Sequence, residues 1–191
     1  MTTILRIAAI GLIAMIGYGS STAGTADLTV TGATTAEHEL VQWAQERYAA
    51  AGLELPELTI RFHDGPAGCG GYNGYYTQDT GTVDICNRGG GTTDPGLTVL
   101  HELAHAWTFE HLTGSEAATW SQGRGLDTWT GADAWWQQGQ EQAAEILAWG
   151  LADRPFISQF LQSETCTDLA TAFTALAGAA PRTTSTASCR G

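Results

Sequence analysis

The segment His101-Glu102-Leu103-Ala104-His105 places two imidazoles and a carboxylate within five residues. On an α-helix, four residues advance about 400°, a net turn of about 40°, and about 6 Å along the axis. His101 and His105 therefore share one side, a turn apart. That spacing lets two imidazoles hold one zinc ion at about 2.0–2.1 Å each. Glu102, next to the first histidine, can reach the metal's water without being a ligand, which is the place of a general base. Chance occurrence on an amphipathic helix is the weaker account. Two histidines and a glutamate facing a core would be costly if left unpaired.

This constellation resembles the HExxH zinc metallopeptidases, the zincins. A catalytic zinc takes three protein ligands and leaves a fourth position for water. Two residues compete for the third place. His111 reproduces the histidine spacing of the metzincins, but Thr108 stands where those proteins end the helix with glycine. On a continuing helix His111 points about 100° away from the other two, and about 9 Å further on than His105. The methionine turn of metzincins has no counterpart, since the only methionines are Met1 and Met15. Glu141 is the second candidate. Glu141-Gln142-Ala143-Ala144-Glu145-Ile146-Leu147-Ala148 resembles the second motif of gluzincins, in which a downstream helix supplies a glutamate to the zinc. The resemblance covers residues 97–112 and 138–151. It implies Glu141 as the third ligand and Glu145 as acceptor for a ligand histidine's other N–H. The reverse assignment of the two glutamates is the alternative.

The same resemblance implies an α+β, zincin-like fold, with a small, mainly antiparallel sheet packed on the active-site helix and a helical C-terminal part. It implies hydrolysis of a peptide or protein substrate by zinc-activated water, with Glu102 moving the proton to the leaving amine. Arg124 and His111 are the candidate oxyanion donors on the C-terminal side, and neither is assigned; an ion pair is the plainer role for Arg124. Substrate is expected along an edge strand within the 75–86 hairpin. Trp120, Trp129, Trp135 and Trp136 are candidates for the cleft wall, with ordinary packing expected for at least half of them. Tyr72, Tyr75 and Tyr76 carry the same ambiguity. His38 and His63 read as isolated and without function.

The elements that must position these groups are legible in part. Thr34-Thr35-Ala36-Glu37 has capping-box spacing and opens a helix that Gly52 ends. Residues 27–33 before it read as a flexible lead-in. Leu58 to Phe62 alternates as a strand, and 64–71 is turn-rich. Residues 74–77 and 82–86 read as two strands joined by a turn at Asp79-Thr80-Gly81. Asp94 caps the motif helix, with Pro95 at its first position, and the helix is expected to end near Leu112. A short helix follows at 116–120. Asp133 is the expected cap of a third main helix through 134–151, stopped by Asp153-Arg154-Pro155. One or two further helices are expected in 156–177. The glycines after Arg88 read as loop.

Length fits one domain, expected over 27–191. Residues 1–26 read as a secretory signal peptide: Arg6, an apolar run over 7–16, then small residues up to Ala26. That run is short for a bilayer, which needs about 20 residues. An uncleaved N-terminal anchor is the alternative. Four cysteines in an exported chain imply disulfides. Of three possible pairings, Cys69–Cys86 and Cys166–Cys189 close short local segments. Without Arg6 the chain has seven arginines against 20 acidic residues. Such a surface repels phosphate backbones and anionic membranes. Lysine is absent, which excludes lysine nucleophiles and Walker-type phosphate loops. Two other functions remain in view. One is an extracellular binding module that keeps a zincin fold without turnover, against which the retained Glu102 speaks. The other is a regulatory protease of the kind that inactivates repressors in the cytoplasm, against which the leading segment and cysteines speak.

Overall fold

A computed structural model describes residues 27–86, 94–154, 158, 161, 163–183 and 189. The expected signal segment, the loop around Arg88 and the stop at Pro155 lie outside the described residues. Among those described, the chain forms an α+β fold of four strands and five α-helices.

Strand β1 spans Leu28–Thr31 and helix α1 Thr35–Ala50. Thr34 caps α1 in a full capping box: its hydroxyl accepts from the Glu37 amide, and Glu37 accepts from the Thr34 amide. The buried face of α1 carries Val41, Ala44 and Tyr48. Strand β2, Leu58–Phe62, buries Leu58, Ile60 and Phe62 and turns Arg61 outward. Strands β3, Gly74–Thr77, and β4, Thr82–Ile85, follow. Gly81 joins them at φ 56°, a left-handed turn position suited to glycine.

The sheet order is β1-β2-β4-β3. β1 pairs with β2 and β2 with β4 in parallel; only the β3–β4 hairpin is antiparallel. The sheet is thus mixed, and the expectation of a mainly antiparallel one is corrected. The cause is β1, which is a strand and not a lead-in. It reaches β2 through α1, and a helical crossover of this length permits parallel pairing. Its side chains alternate, with Leu28 and Val30 against the core.

Helix α2 runs Pro95–His111, capped by Asp94, which accepts from the Gly96 amide at 2.8 Å. Helix α3 spans Gly114–Gly123 behind a Thr113/Glu116 capping box, so it is longer than the 116–120 segment expected. Helix α4, Gly139–Leu151, begins later than Asp133. A 3-10 turn at Trp135–Gln137 precedes it. Its start is fixed from a distance: the Gly139 and Gln140 amides donate to the Thr128 and Trp129 carbonyls, both at 3.0 Å. A side chain at Gly139 would collide with Ser121 and Trp129. Helix α5 spans Cys166–Ala177, and its Phe173 ring packs on Gly150 of α4.

One core joins sheet and helices. Tyr48, Ile60, Val83, Leu100, Leu103, Ile146, Leu147 and Phe173 are almost fully buried in it. Full burial stabilises by roughly 1.5–3 kcal/mol per large apolar side chain. Tyr48 also donates to the Leu100 carbonyl at 3.0 Å, which ties α1 to α2 one residue before His101. Disulfides join Cys69 to Cys86 and Cys166 to Cys189, as local closure predicts. Bonds of this kind belong to oxidising compartments. Among the described residues, no helix is long and apolar enough to cross a membrane.

Candidate metal centre

Helix α2 brings His101 and His105 to one side, and α4 presents Glu141 and Glu145 to them. Small buried residues make the approach possible: Ala104 on α2, and Ala143, Ala144 and Ala148 on α4. His105 Nε2 and His101 Nε2 stand 3.1 Å apart. Glu141 Oε2 lies 3.4 Å from each of them. Atoms bound to a tetrahedral zinc at about 2.0–2.1 Å stand about 3.3–3.4 Å from one another. The two edges to Glu141 already match such a coordination sphere, and the edge between the imidazoles is slightly shorter. His101, His105 and Glu141 form a group able to hold a metal ion.

Glu145 completes the logic of the donors. Its Oε2 lies 3.0 Å from His101 Nδ1, so that nitrogen carries the hydrogen and donates. In a neutral imidazole this leaves a lone pair on Nε2, aimed at the neighbouring imidazole and at Glu141. Three atoms able to ligate a metal thus converge on one point.

The electrostatics follow. Burial works against a charge on His101, but its bonds to Glu141 and Glu145 outweigh this and raise its pKa well above the ordinary value. Burial also works against ionising Glu141, yet the bonds from both imidazoles hold its carboxyl far below the usual range. Both shifts record an anionic pocket that favours positive charge.

Glu102 stands apart from this triangle and faces β3. It is 6% exposed and lines the cleft in front of the histidines. Burial raises its pKa, and the nearby imidazoles only partly oppose this. Its side chain packs on Gly74: a Cβ there would lie 2.6 Å from Glu102 Oε1 and 2.7 Å from Cγ. Gly74 is therefore a site residue that the motif alone does not reveal. The available signal is a glycine opening a strand, a mark of close approach.

The cleft has a volume of about 1280 Å³. β3, at the edge of the sheet, forms one wall, as the hairpin expectation places it. Tyr72, Tyr75, Tyr76, Trp129 and Trp135 line it. Trp120 and Trp136 are not among its lining residues. The Trp120 ring packs edge-on against Trp129, its ring N–H directed to the Ala172 carbonyl at 3.4 Å.

The other expected donors lie elsewhere. His111 donates to the Glu54 carbonyl at 2.7 Å and stacks on Trp107. Arg124 pairs with Glu164 at 2.8 Å. Neither lines the cleft. His38 is exposed. His63 is not isolated: its Nε2 lies 2.6 Å from Asp84, which also accepts from Arg61.

Comparison with protein-family models, curated proteins and solved structures finds no match for the chain.

Proposed function

We propose that the chain is an exported zinc metallopeptidase with a zincin-like, gluzincin-type centre. The ligands are His101, His105 and Glu141, with Glu102 as general base and Glu145 as the support of His101. The convergence of two imidazole nitrogens and a carboxylate oxygen at close to tetrahedral edge distances supports this most directly. When bound there, zinc supplies an electrophile for a carbonyl oxygen and lowers the pKa of water.

The chain's own groups do the rest. Glu145 holds the Nδ1–H of His101 and so keeps Nε2 free to coordinate. Glu102 is buried beside the cleft with a raised pKa, which suits a group that accepts a proton and then returns it. The open edge of β3 offers backbone groups to an extended peptide. Two disulfides and the leading apolar segment favour action outside the cytoplasm.

The test is metal analysis combined with cleavage of a mixed peptide library. Wild type is expected to carry zinc and cleave. Glu102→Ala is expected to keep the zinc and lose about 10²–10⁴-fold in rate. Undiminished cleavage by that variant would remove Glu102 from the chemistry. A zinc-loaded wild type that cleaves nothing would favour a binding module instead.

A further inference from the structure

Beyond the reaction itself, the cleft walls carry a chemical bias. The exposed large hydrophobic side chains of the described residues are Tyr72, Tyr75, Phe109, Trp135 and Trp136. Four of these five line the one cleft that holds Glu102 and the histidines. Their exposures run from 41% for Trp135 to 65% for Tyr72, so each presents part of its surface to solvent. A solvent-exposed aromatic cluster of this kind marks a binding surface.

Apart from the histidines of the metal centre, the charged groups of the cleft have one sign. Asp79, Asp94, Glu102, Glu141 and Glu145 line it, and no arginine does among the described residues. The arginines that do have partners hold carboxylates: Arg47 with Asp153, Arg61 with Asp84, Arg124 with Glu164 and Arg154 with Asp94. Asp94 is thereby partly neutralised. Asp79, beyond the end of β3, is not, whereas the carboxylates of the centre are matched by the histidines and the metal proposed there. Across the whole chain the net charge is −12, a field that draws cations toward the molecule.

We propose that this cleft selects polypeptide segments bearing arginine or lysine beside the reacting bond. Aromatic ring faces attract such cations through the ring quadrupole, and the acidic walls add Coulombic attraction. A ligand that was merely apolar would use the rings and gain nothing from the carboxylates. An acidic ligand would be repelled. This substrate class rests on the peptidase reading, but binding can be measured without turnover.

The experiment uses zinc-loaded Glu102→Gln and fluorescent peptides identical except at two central positions. These hold arginine, the uncharged isosteres citrulline or norleucine, or glutamate. The arginine peptide is expected to bind about five- to tenfold more tightly than the uncharged ones, with the glutamate peptide weakest. That advantage should shrink as salt is raised, because exposed charges are screened. Asp79→Asn and Trp135→Ala, introduced in the same background, should each reduce the arginine-to-norleucine ratio while zinc content stays unchanged. Equal or tighter binding of the norleucine peptide overturns the proposal, as does failure of every peptide to bind. Loss of cleavage in wild type, with the binding ratio intact, would instead remove the peptidase reading alone.

Discussion

Two histidine–carboxylate clusters lie among the described residues, and their charge balance differs. On the face of the sheet away from the core, Asp84 accepts from Arg61 Nε and Nη2, both at 2.9 Å, and meets His63 at 2.6 Å. That cluster contains its own permanent cation. Between α2 and α4, three glutamates surround two histidines, and no arginine or lysine of the described residues joins them. An arginine fork satisfies a carboxylate with fixed geometry and permanent charge. The sheet cluster is accordingly complete as protein and pins β2 to β4. The helix-pair cluster has the same residue types without an arginine or lysine among the described residues, and its His101, His105 and Glu141 could hold a metal ion. Histidine next to carboxylate is thus not in itself a metal site; the two clusters differ in whether an arginine joins them.

Substitutions can break this contrast at either cluster. The largest effect is expected from Glu141→Ala, which removes one corner of the triangle. Zinc affinity should fall by more than the roughly 10–100-fold typical of supporting residues, with activity following. Zinc retained after dialysis, measured by elemental analysis, checks this.

Gly74→Ala should come next. The new methyl group would press on Glu102, and a misplacement of about 1 Å in a catalytic group can lower the rate by about 10²-fold. Zinc content should be that of wild type, because Gly74 touches the base and not the ligands. Parallel measurements of kcat and bound zinc separate the two.

Glu145→Gln should lower zinc affinity by about 10–100-fold by weakening the hold on His101 Nδ1–H. A chelator competition series on wild type and variant reads this directly.

Asp84→Asn gives the smallest expected effect, and a different kind. It should remove about 1–2 kcal/mol of stability, since charge-assisted hydrogen bonds are lost, and leave zinc affinity alone. Burial works against the Asp84 charge, but the bonds from Arg61 and His63 outweigh it and lower its pKa. A carboxylate lowered in this way stabilises the fold fully above its unfolded pKa of about 3.9. The contribution disappears as pH falls through the folded value. The stability gap between wild type and variant should therefore be full at neutral pH and close below about pH 4 in denaturant titrations. A gap that widened on acidification would contradict the charge assignment.

What the sequence revealed and what it hid divide along physical lines. The motif helix, its Asp94 cap, the Thr34 capping box and the β3–β4 hairpin depend on neighbours a few residues apart, and all are legible. Both disulfides close short segments and were legible for the same reason. Convergence of Glu141 on the histidines is a long-range event that spacing alone does not give; the resemblance of residues 141–148 to a gluzincin motif suggested it, and the four-residue spacing put Glu141 and Glu145 on one helix face. The start of α4 was not legible, because carbonyls of Thr128 and Trp129 set it rather than the local cap at Asp133. β1 and the parallel pairing were hidden because strand partners lie across a helical crossover. The Arg61–His63–Asp84 cluster depends on the register of β2 against β4, which pairs Arg61 with Asp84. Contact between Gly74 and Glu102 likewise exists only once sheet and helix are packed.

The central claim is that the α2–α4 pair binds one divalent cation through His101, His105 and Glu141. Calorimetric titration of chelator-stripped wild type and Glu141→Ala with zinc tests it most directly. Wild type should bind one zinc per chain tightly, and Glu141→Ala only weakly or not at all. No zinc uptake by folded wild type, or equal affinity in the variant, would contradict it.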